Sequence, residues 1–139
     1  MFAQPTRKNG VLFLAATLVG VGMTSTAFAR ITANTTDPVA IVAENGHHVI
    51  VTGPVECTEG ERAYLRVTVT QRSTGAVAEG RTRITCTGDS QHWEAHVSIQ
   101  GKEAFEEGPA TAVALARTTD RGDTDDADQW LVHIMLVGE

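Results

Sequence analysis

The chain has 139 residues, with 11 Lys plus Arg against 17 Asp plus Glu and a formal net charge of −6. So acidic a composition repels phosphate backbones and anionic lipid, which need clustered cations, and it excludes nucleic acid and membrane as expected partners. The length supports one domain with a genuine core and leaves little room for a second layer carrying an elaborate active site.

Arg7 and Lys8 precede an apolar run over 11–23, and small residues then lead to Ala27-Phe28-Ala29. These are the three zones of a secretory signal peptide. The run, about 13 residues long, is too short to span a ~30 Å hydrocarbon core as a helix. Residues 1–29 are therefore expected to be cleaved, leaving a secreted, extracellular protein that begins at Arg30. Cleavage leaves nine basic against seventeen acidic residues, a net charge of −8.

Residues 30–38 are polar, Thr-rich and without period, which predicts a flexible lead-in to a single domain over 39–139. Val49, Val51, Gly53, Val55 and Cys57 share one side of an alternating stretch, the period of a half-buried strand, and Glu59-Gly60 ends it. Leu65, Val67 and Val69 alternate with Arg66, Thr68 and Thr70 to give a second strand, reversed at Ser73-Thr74-Gly75. A third alternates Gly80, Thr82, Ile84 and Cys86 with Arg81, Arg83 and Thr85, and turns at Thr87-Gly88-Asp89-Ser90. In a fourth, Trp93, Ala95, Val97 and Ile99 face one way and His92, Glu94, His96 and Ser98 the other. The alanines in 110–117 suit a helix, but Thr111, Val113, Leu115 and the neighbouring strands favour β. The acidic segment 118–128 reads as a loop, and Trp130, Val132, Ile134 and Leu136 form a last strand with Trp130 turned inward. Six or seven strands without a convincing helix describe an all-β, antiparallel sandwich or barrel; of the two, the expected fold is the sandwich, which the placement of the cysteines makes immunoglobulin-like in general character.

Both cysteines lie on the apolar faces of their strands, with one complete strand between them. Strands separated by one antiparallel neighbour run in the same direction, so Cys57 and Cys86 fall at the same pole. A lone pair in a small exported domain predicts a disulfide, because a metal site would need further thiolates or histidines at ligand spacing.

Val51-x-Gly53-x-Val55-x-Cys57, Val67-x-Val69-x-Gln71, Cys86-x-Gly88, Trp93 and Phe105-x-x-Gly108-x-Ala110 span most of 49–117. In these elements the chain resembles small exported β-sandwich proteins of unknown function from high-GC Gram-positive bacteria. The resemblance implies a fold and an exported location, and it supplies no catalytic residues.

Four groups of residues carry possible chemistry. His92, Glu94 and His96 point outward at alternate strand positions and form a candidate metal site, with His133 or the His47-His48 pair as a possible further ligand; the ordinary alternative is a solvated face. Asp120, Asp123, Asp125, Asp126 and Asp128 form a candidate calcium loop, although no EF-hand glycine or closing Glu is present; the embedded Arg121-Gly122-Asp123 has the form of an adhesion tripeptide. Gly88-Asp89-Ser90 is similar to the nucleophile block of GDS-type esterases, but Asp128 and His133 lack that family's spacing and the expected fold lacks its helices. Arg66, Arg81 and Arg83, with Tyr64 nearby, fall on the outward faces of consecutive strands and define a local basic stripe for an anionic or sugar ligand, unless Glu61 or Glu79 pairs with them.

No nucleophile, base and orienting group converge in this pattern. The sequence therefore predicts a secreted, non-catalytic, protein-binding module that needs no cofactor, its partner an extracellular protein or surface component. The alternatives are a metal-binding protein using His92 and His96, or an inhibitor presenting 118–128.

Overall fold

A computed structural model describes residues 31–120 and 123–139; the signal-peptide expectation for 1–29 lies outside them. Eight strands follow one another: β1 (Ile31–Asn34), β2 (Val39–Ala43), β3 (His48–Cys57), β4 (Arg62–Gln71), β5 (Ala76–Thr85), β6 (Ser90–Ile99), β7 (Gly108–Asp120) and β8 (Asp123–Gly138). One turn of 3-10 helix, Glu44–Gly46, joins β2 to β3. The expected all-β class holds, and so does the Cys57–Cys86 bond, with its Cα atoms 5.4 Å apart.

The predicted sandwich is replaced by a barrel. Neighbouring strands run in the order β3, β2, β8, β7, β4, β5 and β6, and β6 pairs back onto β3, so seven strands form one closed sheet. The β3–β6 ladder extends from His48↔Ser98 to Glu56↔Ser90 and leaves neither strand as an edge. Closure removes the unpaired backbone groups that two facing sheets would expose. One pairing, β2 with β8, is parallel, so the barrel is not wholly antiparallel.

That parallel seam depends on residues 31–38, the stretch expected to be a lead-in. β1 pairs with the C-terminal half of β3 and β2 with its N-terminal part, so the two short strands share one flank of β3. Between them, Asp37 N–H donates to the Thr52 carbonyl at 2.8 Å and the Pro38 carbonyl accepts from Met135 N–H at 2.8 Å. Trp130 donates its indole N–H to Thr36 Oγ1 at 3.0 Å, which fixes this segment from the β8 side.

Alternation sorts the interior as the sequence predicts on β3, β4 and β6, where every second residue is buried. The alanines of β7 face inward too, and their small size answers the strand beside them: Ala112, Ala114 and Ala116 lie opposite Val69, Val67 and Leu65. A narrow barrel is filled by such large and small pairs. Trp93 supplies the bulkiest piece at 1 % exposure. It faces Gly53, where an added Cβ would come within 2.7 Å of the indole and 2.2 Å of the Thr35 carbonyl. The absence of a side chain at Gly53 is therefore a packing requirement.

The β5–β6 seam is the least complete, with only Ala78↔Ile99 and Glu79↔Ser98 in register. At Gly80 an added Cβ would meet the His96 carbonyl at 2.2 Å, so the backbones nearly touch before β5 leaves the ladder. The Cys57–Cys86 bond then joins the ends of β3 and β5 on either side of β6. Cys86 N–H donates to the Glu61 carbonyl, and Gly88 N–H to the Cys57 carbonyl, which tie the turns around the bond. At the opposite pole, Phe105 is 5 % exposed and its N–H donates to the Gly46 carbonyl. Gln71 closes the same pole: its amide donates to the Glu106 and Pro109 carbonyls and accepts from Glu106 N–H.

The acidic segment 118–128 is not a free loop. Thr118 and Asp126 are paired in the β7–β8 ladder, which continues to Asp120↔Asp123, so the segment is the arm of a hairpin. The inhibitor alternative would therefore present 118–128 as a hairpin arm and not as a free loop.

Two outcomes follow for stability. Replacing both cysteines by serine should lower unfolding free energy by about 3 to 4 kcal/mol, the chain-entropy value for a loop of this length, measured by urea denaturation. Trp93→Ala should cost about 3 to 5 kcal/mol in the same measurement, because the surrounding strands are fixed by closure and cannot collapse into the space.

Candidate functional site

Strands β4, β5 and β7 lie side by side with their outward residues in rows. Arg62 is flanked by Thr119 and Thr85, Tyr64 by Arg117 and Arg83, and Arg66 by Leu115 and Arg81. All five arginines are exposed, so the outer wall of an acidic protein carries a compact positive field. The sequence placed Arg66, Arg81 and Arg83 together; the β4–β7 pairing adds Arg117, and the parity of β4 adds Arg62.

Tyr64 is the centre of this field. Arg117 stacks its guanidinium over the ring, 4.7 Å from the centroid. A hydrogen bond from Arg62 holds the Tyr64 phenol below the usual tyrosine value; it outweighs the opposing desolvation, and the charges of Arg62 and Arg83 and a hydrogen bond from Thr119 act in the same direction. Arg66 pairs with Glu79 at 3.0 Å, in an exposed contact worth little energetically. Arg66 and Arg81 are directly opposed in the ladder, a like-charge pair that costs stability on a sheet surface. A depression of about 310 Å³ opens between them, bordered by Tyr64, Leu115 and Arg117. Leu115, 44 % exposed, contributes apolar surface to its lining. Arginine forks can bind carboxylates bidentately, and the tyrosine and leucine supply desolvating contact beside them.

The histidine face lies on β3 and β6. His92, Glu94 and His96 do not form one ligand set, because residues four apart on a strand are separated by about 13 Å. His92 instead faces Asp37 at 3.3 Å. His96 Nε2 meets Glu94 Oε2 at 2.7 Å and its Nδ1 meets His48 Nε2 at 3.0 Å. Among the described residues no three His, Cys, Asp or Glu side chains converge on a point that could hold a metal ion. His133 sits on β8 beside Thr111 and joins none of these.

The remaining candidates are placed as follows. Asp126 Oδ2 accepts from Ile31 N–H at 2.9 Å, and its other oxygen accepts from Ala127 N–H. Asp128 Oδ1 accepts from Gln129 N–H. These two carboxylates thus serve the backbone. The side chains of Asp120, Asp123 and Asp125, and the Arg121-Gly122 part of the adhesion tripeptide, lie outside the described residues. Ser90 opens β6 opposite Glu56 within the closing ladder, a strand setting unlike the α/β turn that the esterase block requires.

The chain is thus a closed, disulfide-linked β-barrel with an arginine-rich outer face. No protein-family model matches it, and no curated protein is significantly similar to it.

The chain's single tyrosine makes the field measurable. An ultraviolet titration of Tyr64 should give a midpoint below that of free tyrosine, and Arg62→Ala should move it upward; an unchanged midpoint would deny the coupling. Because the folded-state value is the lower one, the associated stability is present above the unfolded tyrosine value, about 10, and is lost as pH falls through the folded one.

Proposed function

We propose that this chain is an exported, non-catalytic binding protein whose recognition surface is the arginine and tyrosine face of β4, β5 and β7. Its partner is an extracellular protein that presents a carboxylate-rich segment. The observation that carries this reading is the gathering of Arg62, Arg66, Arg81, Arg83 and Arg117 around Tyr64 in a chain of net negative charge.

Arginine and tyrosine are the residue types that dominate protein interfaces, and lysine is absent from this face. The opposed Arg66 and Arg81 lower the stability of the free barrel, and an acidic partner would relieve that repulsion. The overall negative charge disfavours a long polyanion that must extend beyond the patch. Export is supported by the three-zone N-terminus, by the resemblance to small exported β-proteins and by the disulfide, which persists in oxidising compartments. No helix among the described residues is long and apolar enough to cross a membrane.

An oligoglutamate peptide and an oligonucleotide of equal charge provide the test. The peptide should bind at low ionic strength, weaken with salt, and lose about tenfold or more in affinity, 1.4 kcal/mol, with Arg81→Glu plus Arg83→Glu. Peptide binding unaffected by the double variant would overturn the site. Preferential binding of the oligonucleotide would overturn the partner class.

A further inference from the structure

We propose that His48 and His96 form a two-nitrogen chelate for a divalent transition-metal ion of the copper, nickel and zinc group, on the outer face of the closing ladder. The register of that ladder sets His48 opposite Ser98 and His96 opposite Ile50, so the two rings are diagonal neighbours on adjacent strands. His48 Nε2 and His96 Nδ1 are 3.0 Å apart. Two imidazole nitrogens bound to one ion at about 2.0 to 2.1 Å lie about 2.9 Å apart at a right angle and about 3.4 Å apart at a tetrahedral angle. The observed separation, that of a hydrogen bond between the two rings, lies within this range, so a tilt of the rings is enough to aim both nitrogens at one ion.

The groups behind the two rings have the arrangement that orients metal-binding histidines. Glu94 Oε2 accepts a hydrogen bond from His96 Nε2–H at 2.7 Å, which puts the His96 proton on Nε2 and leaves the Nδ1 lone pair facing His48. Ser98 Oγ lies 3.5 Å from His48 Nδ1, on the side of the ring away from His96. Without metal, His48 Nε2–H donates to His96 Nδ1. With metal, the His48 proton moves to Nδ1, beside Ser98, and both inward-facing nitrogens bind the ion. Glu94 acts as a positioning residue in this scheme and His92 takes no part. The His96 side chain is 51 % exposed, so water can complete the coordination shell.

The test is a calorimetric titration of the chain, purified without an affinity tag, with Cu(II), Ni(II) and Zn(II) salts, joined to electron paramagnetic resonance of the Cu(II) form. One ion per chain is expected, Cu(II) tightest, with a spectrum showing two equivalent-type nitrogen ligands. His48→Gln and His96→Gln should each weaken binding by about tenfold or more, and Glu94→Gln by about tenfold, while His92→Gln leaves it unchanged. Thermal melts of the metal-free variants should match the parent, because these side chains stand outside the barrel. Absence of stoichiometric binding, or binding that survives the loss of either His48 or His96, would overturn the proposal.

Discussion

The pairing of β6 with β3, from His48↔Ser98 to Glu56↔Ser90, is the constraint on which the rest of the molecule depends. It converts a ribbon of strands into a closed wall, and closure fixes the interior volume. That volume explains why Trp93 needs Gly53 opposite it and why β7 must present alanine to the valines of β4. The disulfide acts on the same constraint from outside the ladder. It bridges β3 to the end of β5 at the pole where β5 and β6 have separated, holding together the part of the wall with the fewest hydrogen bonds.

Much of this was legible in the residues themselves. Alternation on β3, β4 and β6 identifies their buried faces because each has one wet and one dry side, and a period of two expresses that directly. The cysteines sit on the dry side at a shared pole and are the chain's only two, so strand direction and count together pointed to their bond. Closure was not legible. Periodicity reports which way a side chain points and carries nothing about which strands are neighbours, so a sandwich and a barrel share one pattern. The segment 31–38 misled for a related reason: its Thr-rich composition lacks a period because it is divided between two short strands and a crossing held by Thr36, Asp37 and Pro38. The acidic arm misled because charged residues at a hairpin's exposed end look like loop residues.

The same limit separates the parts of the surface that could be anticipated from those that could not. Arg66, Arg81 and Arg83 belong to sequential, hairpin-connected strands, so their meeting followed from local order. Arg117 comes from a strand far along the chain and reaches Tyr64 only through the β4–β7 ladder. His48 reaches His96 only through closure. Net charge also concealed the arrangement, because an average over the whole chain is blind to five arginines on three adjacent strands. The barrel therefore keeps two distinct chemistries on its outer wall, guanidinium groups around a phenol on one side and paired imidazoles on the other, over an interior almost wholly of small aliphatic side chains.

Nuclear Overhauser spectroscopy of backbone protons tests closure most directly. The account predicts cross-strand contacts between β3 and β6 around Gly53 and Trp93 together with parallel-type contacts between β2 and β8 around Ile41 and Val137. Presence of one set without the other would mean an open sheet and would contradict the barrel.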